Sequence, residues 1–124
     1  MIEKKNLVYV IDDDESVRRA FQFLFESVDL DVQTFCSAEE FLENASLSDG
    51  SCIILDMRMP GMTGLDLLRE LLARKIRIPV IVVSAYDDEP TKRRARELGA
   101  IAYFRKPVDD QALLDAISFA IQGR

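Results

Sequence analysis

Five side chains that can do chemistry stand directly after apolar runs of this chain, where a strand would end. Three are carboxylates, one is a hydroxyl and one is an ammonium group. Three carboxylates held close together repel one another and partly protonate unless a cation joins them. An all-oxygen ligand set favours Mg²⁺, and the chain contains no histidine, which argues against a zinc site. The five residues are Asp12, Asp13, Asp56, Ser84 and Lys106.

This set of groups predicts phosphoryl chemistry. A Mg²⁺ ion that keeps open coordination positions is the usual partner of phosphoryl oxygens. Ser84 and Lys106 would hold the remaining phosphoryl oxygens through a hydroxyl hydrogen bond and a positive charge. Asp56 would then be an aspartyl nucleophile.

The positioning elements are strands and helices in alternation. Apolar runs without periodicity, such as 52–55 and 80–83, are typical of strands covered on both faces. A segment with helical features follows each strand, so that strand and helix alternate five times. The pattern predicts an α/β fold with a doubly wound parallel sheet and helices on both faces. In such a sheet the carboxyl ends of the strands share one rim, where the five side chains would meet.

The helix limits are predicted from caps and periodicity. Apolar residues at helical spacing, ending at Val28, predict the inner face of the first helix, and a similar set ending at Leu72 predicts that of the third. Ser37 with Glu40 fits a capping box, and Thr63 is a candidate N-cap. Asp14 is expected to be a solvated or helix-starting acid.

The segment 87–98 should form a poorly amphipathic fourth helix, rich in arginine and closed by Gly99. Its few apolar positions suggest few buried contacts and hence a low free energy of local opening.

Composition limits the classes of protein. With 124 residues and no internal repeat, one domain spanning 1–124 is expected. The net charge of -6 argues against nonspecific nucleic-acid binding. Cys36 and Cys52 lie in apolar contexts without metal-ligand spacing, so we expect reduced core residues of a cytoplasmic protein. We expect neither a signal peptide nor a membrane span, since no segment approaches the roughly 20 apolar residues that a span needs.

The chain resembles the receiver domain of two-component response regulators over essentially its whole length. The motifs that carry the resemblance are ordered along the chain and fall at strand ends. The resemblance to FixJ-type regulators, a subfamily of transcription factors, is strongest in segment 56–60 and around 88–90. The matching pieces are Val10-Ile11-Asp12-Asp13-Asp14, the segment from Leu55 to Gly64, Ser84-Ala85 and Lys106-Pro107.

The resemblance implies a flavodoxin-like five-stranded sheet of order 2-1-3-4-5. It implies that Asp56 accepts a phosphoryl group from the phosphohistidine of a sensor histidine kinase. Asp12, Asp13, Asp56 and the backbone carbonyl of Arg58 would hold Mg²⁺, Asp13 more directly than Asp12. Lys106 would contact the phosphoryl group, Ser84 would move to bind it, and Tyr103 would rotate inward as the switch aromatic. The Lys106-Pro107 bond is expected to be cis.

The resemblance also implies partners. The domain would act as a phosphoacceptor switch, with autophosphorylation and autodephosphorylation but no outside substrate. It would form a homodimer on phosphorylation and reach DNA through a C-terminal output domain absent from these residues. Arg58 and Tyr86 are large and would crowd the path of a hydrolytic water, which would lengthen the life of the aspartyl phosphate.

Three other interpretations fit the sequence less well. A haloacid-dehalogenase-type phosphohydrolase would need a second Asp two residues after the nucleophile, where this chain has Arg58. A flavin-binding protein would need a phosphate loop after the first strand, where this chain has four consecutive acids. A receiver-shaped interaction module that is never phosphorylated is opposed by the complete set of site residues.

Overall fold

The computed structural model describes residues 6–122. Five parallel strands form one sheet in the order β2-β1-β3-β4-β5, as the sequence predicts. The central strands β1, β3 and β4 are buried along their whole length, which explains why their apolar runs lack periodicity. The strands are β1 (Leu7–Ile11), β2 (Asp31–Phe35), β3 (Ser51–Leu55), β4 (Val80–Ser84) and β5 (Ala100–Arg105).

Helices cover both faces of the sheet. Successive strand residues point to opposite faces, so the chain has two apolar cores. The side chains of α2, α3 and α4 pack with Tyr9 and Ile53 in one core, and those of α1 and α5 pack with Val10 and Ile54 in the other. The helices are α1 (Glu15–Glu26), α2 (Ala38–Asn44), α3 (Gly64–Ala73), α4 (Glu89–Glu97) and α5 (Asp110–Gln122).

Side-chain caps begin the helices that follow the functional strands. Asp14 caps α1 by accepting the backbone N–H of Ser16. Thr63 caps α3 and forms a complete capping box with Asp66. Ser37 caps α2 as predicted, but Glu40 accepts the N–H of Cys36 rather than that of Ser37. These caps fix where the loops at the rim end.

The limits of α1 and α4 and the exposure of Leu72 on α3 differ from the sequence expectation. Val28 is 46% exposed because α1 ends at Glu26, before it. Leu72 is 54% exposed on α3, where it borders an open groove. Helix α4 begins two residues later than predicted because Asp88 is its N-cap, and Gly99 follows its C-cap with φ +107°.

The two cysteines have different environments. Cys52 is buried on β3, as predicted. The prediction of a core position for Cys36 is wrong, because it follows the last residue of the edge strand β2 and is exposed. Within residues 6–122, the helices are too short or too polar to cross a bilayer.

Candidate functional site: an acidic cluster at the carboxyl rim

The strand register brings the predicted acids together. Ile11 of β1 lies opposite Leu55 of β3, so the residues that follow them, Asp12 and Asp56, are neighbours across the rim. Ligand oxygens of Asp12, Asp13 and Asp56 all lie within 4.8 Å of one another. Asp12 and Asp56 are buried, whereas Asp13 is exposed. The rim therefore presents a carboxylate cluster that is open to solvent on the Asp13 side.

Lys106 reaches this cluster from the end of β5. Its Nζ lies 2.8 Å from Oδ2 of Asp12 and 3.8 Å from Oδ1 of Asp56. The Lys106-Pro107 peptide bond is cis, as expected. The backbone N–H of Lys106 donates to the carbonyl of Ser84 at 2.8 Å, which ties the end of β5 to the end of β4.

The acid cluster is electrostatically unfavourable without a cation. Burial raises the pKa of Asp56 to about 6, and the neighbouring carboxylate of Asp12 acts in the same direction. Lys106 and the backbone amide of Arg58 partly oppose this rise in pKa. A divalent cation would favour the ionised form of all three carboxylates, so the donor set fits Mg²⁺ in charge and in ligand type.

Ser84 and Tyr103 lie beside the cluster rather than within it. The buried Ser84 Oγ accepts the backbone N–H of Tyr86 at 3.2 Å. The half-buried Tyr103 donates its hydroxyl to the carbonyl oxygen of Tyr86. Partial burial raises the pKa of the Tyr103 phenol, and nearby carboxylates add to the rise in pKa. Both predicted switch residues therefore contact the loop that follows β4.

A side-chain stack joins the two loops that flank Asp56. The guanidinium carbon of Arg58 lies 3.8 Å from the ring centroid of Tyr86, in a cation–π arrangement. Arg58 belongs to the β3–α3 loop and Tyr86 to the β4–α4 loop. The sequence suggested that each residue crowds the site, but not that they contact each other.

Two further residues that sequence reasoning did not single out support the rim. Arg18 on α1 donates from Nη1 to the backbone carbonyl of Asp12 at 2.7 Å. Glu39 on α2 accepts the backbone N–H of Met62 at 3.0 Å and so holds the β3–α3 loop from the side. Both bonds run from a helix to a rim loop, and no short sequence motif signals such contacts.

The comparisons with known proteins agree with this arrangement. The family model for the response regulator receiver domain matches residues 8–118. This chain belongs to the response regulator receiver family. Receiver domains are phosphoacceptor switches of two-component signalling and bind Mg²⁺ at an acidic cluster of this kind.

The curated sequence relatives of the chain include a transcriptional regulator. It is 44% identical to the transcriptional regulatory protein FixJ of Azorhizobium caulinodans, over 94% of this chain and 58% of that protein. It is 42% identical to nodulation protein W of Bradyrhizobium diazoefficiens, over 95% of this chain and 52% of that protein. The chain thus spans little more than half the length of these curated relatives.

Solved structures show the same fold. The crystal structure of FixJ-N superposes with a TM-score of 0.87 at 34% identity and covers 100% of this chain and 98% of that chain. The response regulator StyR gives a TM-score of 0.88 at 43% identity, over 95% of this chain and 60% of that chain.

Proposed function

We propose that Asp56 is the phosphoacceptor of this receiver. The observation that carries the proposal is the position of its carboxylate, between two further carboxylates and one ammonium group at the carboxyl rim. An oxygen of Asp56 attacks the phosphorus of a phosphohistidine, the P–N bond breaks, and the electron pair returns to the imidazole. The product is an aspartyl phosphate, which water later hydrolyses to restore the carboxylate.

Asp12, Asp13 and Asp56, with the backbone carbonyl of Arg58, would hold Mg²⁺. When bound, the ion supplies positive charge to the phosphoryl oxygens. The backbone around these ligands is held by other residues of the chain. Arg18 holds the carbonyl of Asp12.

Lys106 and Ser84 contact the phosphoryl oxygens that remain. Lys106 Nζ already lies 3.8 Å from Asp56, so a short displacement from Asp12 brings it to a phosphoryl oxygen. Ser84 gives up the hydrogen bond that its Oγ accepts from Tyr86 and turns its hydroxyl towards the new group. Phosphorylation adds about 1.5 to 2 negative charges, enough to bias such a two-state rearrangement.

Tyr103 reports the change at Ser84. In the structure its hydroxyl donates to the carbonyl of Tyr86, close to Ser84. Movement of Ser84 and the β4–α4 loop would change this hydrogen bond and give the ring of Tyr103 room to turn further inward. The outer face of β5 then changes its shape and its polarity.

The donor of the phosphoryl group is a sensor histidine kinase. A depression beside Lys106 is lined by Val17, Phe21 and Val108 and separates α1 from the start of α5. It offers apolar surface to a kinase helix whose phosphohistidine faces Asp56. This location leaves the outer face of β5 free for a second partner.

The response to phosphorylation would be carried out by a further domain, as in the longer relatives. We assign residues 1–124 to a single cytoplasmic receiver domain that regulates transcription through a C-terminal DNA-binding domain. Phosphorylation promotes a homodimer of the receiver. Beyond accepting the phosphoryl group and catalysing its own dephosphorylation, the domain acts on no substrate.

Labelling by acetyl phosphate tests the assignment. The chain with Mg²⁺ should gain the mass of one phosphoryl group, and neither Asp56→Asn nor the chain in EDTA should gain it. Asp14→Asn is the matched control, since Asn also caps helices well and Asp14 is the N-cap of α1. Stoichiometric labelling of Asp56→Asn would disprove the proposal.

A further inference from the structure

Glu39 links helix α2 to the β3–α3 loop, which begins at Asp56. Its Oε2 accepts the backbone N–H of Met62 at 3.0 Å, although the two residues are 23 positions apart in the sequence. Within residues 6–122 Glu39 forms no ion pair, so its carboxylate is committed to this backbone amide. A hydrogen bond from an N–H to a carboxylate is charge-assisted and stronger than one between neutral groups.

Gly61 leaves room for this carboxylate. Its backbone has φ +76°, and a Cβ added there would lie 2.6 Å from Oε2 of Glu39. A side chain at position 61 would therefore displace the oxygen that accepts from Met62. The left-handed backbone and the close approach of the carboxylate both require glycine here. We call Glu39, Gly61 and the backbone amide of Met62 together the α2 clasp.

Helix α2 holds the carboxylate of the clasp in a fixed position. Ala38 and Phe41, on either side of Glu39 in the helix, are buried in one of the two cores. Ser37 caps the helix by accepting the backbone N–H of Glu40 at 3.0 Å. The clasp therefore joins the loop to an element whose position the core determines.

The loop that the clasp holds contacts the acid cluster at its other end. The backbone N–H of Arg58 donates to the carboxylate of Asp56. Met57 and Met59 are buried and fix the first half of the loop in the core, whereas segment 60–61 is exposed. The clasp holds the loop on the far side of this exposed segment.

We infer that Glu39 is a positioning residue for the metal site. The inference rests on the proposed function, in which the backbone carbonyl of Arg58 is a ligand of Mg²⁺. By fixing the amide of Met62, Glu39 limits the conformations that segment 58–62 can adopt. Mg²⁺ demands near-ideal octahedral geometry, so it binds less tightly when one of its ligands lies on a loosened loop.

Calorimetric titration with Mg²⁺ tests this role. Residues that contact metal ligands typically change metal affinity by about 10- to 100-fold, and because Glu39 acts through several loop residues, Glu39→Ala should weaken Mg²⁺ binding about three- to tenfold. Glu39→Gln keeps an oxygen that accepts the N–H of Met62 and should restore most of the affinity. At saturating Mg²⁺, acetyl phosphate should label Glu39→Ala at close to the wild-type rate.

Glu43→Ala is the matched control. Glu43 is exposed on the same helix, and its loss changes the net charge by the same amount. This variant should keep the wild-type affinity for Mg²⁺.

Gly61→Ala tests the clasp from the side of the loop. It should weaken Mg²⁺ binding in the wild-type chain, because its Cβ displaces the carboxylate of Glu39. It should weaken Mg²⁺ binding less in the Glu39→Ala chain, where that carboxylate is already gone.

Three results would overturn the inference and leave the proposed function standing. The first is equal Mg²⁺ affinity in Glu39→Ala and the wild type, whatever urea unfolding shows, since Glu39 would then be purely structural. The second is equally weak binding by Glu39→Gln and Glu39→Ala, since the charge of Glu39 would then act rather than its hydrogen bond. The third is independent effects of Gly61→Ala and Glu39→Ala. A wild-type chain that neither binds Mg²⁺ nor accepts a phosphoryl group would disprove the proposed function and this inference with it.

Discussion

Lys106 lies closer to Asp12 than to Asp56. Its Nζ is 2.8 Å from the Asp12 carboxylate and 3.8 Å from that of Asp56. The ammonium group therefore neutralises part of the charge that a metal ion would otherwise meet. Lys106 and a bound Mg²⁺ would compete for Asp12, whereas the proposed transfer of the phosphoryl group would need both cations. Removing the ammonium group of Lys106 should therefore strengthen metal binding and slow phosphorylation, and one variant tests both effects.

Lys106→Met should bind Mg²⁺ more tightly but accept phosphoryl groups more slowly. We expect the apparent dissociation constant for Mg²⁺ to fall several-fold, because a competing cation has gone. Loss of a charge-assisted contact worth about 1.5–3 kcal/mol should slow labelling by acetyl phosphate about ten- to hundredfold. Calorimetric Mg²⁺ titration and time-resolved mass spectrometry measure the two effects.

Lys92→Met is the matched control, because the side chains of Lys92 and Lys106 are both 23% exposed and ion-paired. It should change neither quantity. Weaker Mg²⁺ binding by Lys106→Met would contradict the competition.

The stability of the metal-free chain should fall as the pH rises through the titration of Asp56. The pKa of Asp56 is about 6 in the folded chain, against 3.8 for an aspartate side chain that is fully exposed to water. The folded chain therefore binds the proton of Asp56 more tightly than the unfolded chain does. The stability that this proton contributes is complete below pH 3.8 and is lost as the pH rises through about 6. A shift of about two units corresponds to at most about 3 kcal/mol, less after solvent screening.

Urea unfolding in EDTA across this pH range measures the slope. Asp56→Asn should remove most of it and stabilise the chain at neutral pH. The exposed Asp31→Asn is the control and should retain the slope. Between pH 4 and pH 6 the free energy of unfolding can be compared for the wild type and for Asp56→Asn. The same change in both chains would contradict the interpretation.

The rim was predictable because each of its residues follows a strand. Buried strands have strongly apolar sequences, so the position at which each strand ends can be predicted. Because parallel strands end at one rim of the sheet, Asp12, Asp56 and Lys106 could be predicted to lie close together. The sheet order came from family resemblance, since periodicity does not distinguish among permutations of parallel strands.

The contacts between loops were not predictable. The Arg58–Tyr86 stack and the Glu39–Met62 hydrogen bond depend on loop conformations that no period or cap determines. The wrong core assignments of Cys36 and Leu72 share another cause. Cys36 lies just past the end of the edge strand β2, and Leu72 borders an open depression at the end of α3, so spacing alone predicts burial that the tertiary structure does not provide.

Gly64→Ala should destabilise the chain and disturb the metal site together. A Cβ at position 64 would lie 2.7 Å from the backbone oxygen of Asp56 and 2.8 Å from Cα of Met57. Backbone atoms cannot yield as a flexible side chain would, so we expect a loss of about 1–3 kcal/mol. Because the displaced backbone is that of Asp56, a proposed Mg²⁺ ligand, Mg²⁺ affinity should also fall.

Gly99→Ala is the contrasting control. Its backbone has φ +107°, and no heavy atom lies within 4 Å of an added Cβ. It should lose about 1–2 kcal/mol through backbone strain alone and keep its Mg²⁺ affinity. Chemical unfolding and Mg²⁺ titration of both variants separate displacement of the Asp56 backbone from backbone strain. A Mg²⁺ affinity of Gly64→Ala equal to that of the wild type would refute displacement of the metal site.

The Arg58–Tyr86 stack should lengthen the life of the aspartyl phosphate. The stack links the β3–α3 loop, which contains Asp56, to the β4–α4 loop, and we expect it to limit the approach of water to an aspartyl phosphate. A cation–π contact at an exposed site is worth about 0.5–1 kcal/mol, so Arg58→Ala or Tyr86→Ala should each shorten the lifetime about two- to fivefold. Loss of either residue removes the same contact, so the double variant should be little worse than the singles.

Decay of the labelled chain after removal of acetyl phosphate measures these lifetimes. Tyr86→Phe keeps the ring and should decay like the wild type. Arg105→Ala removes an exposed arginine that pairs with Asp87, outside the stack, and should also leave the lifetime unchanged. An unchanged or longer lifetime in the double alanine variant would show that water reaches the aspartyl phosphate by another path. Additive effects of the two single substitutions would instead show that each side chain acts by its own bulk and that their contact is not what shields Asp56.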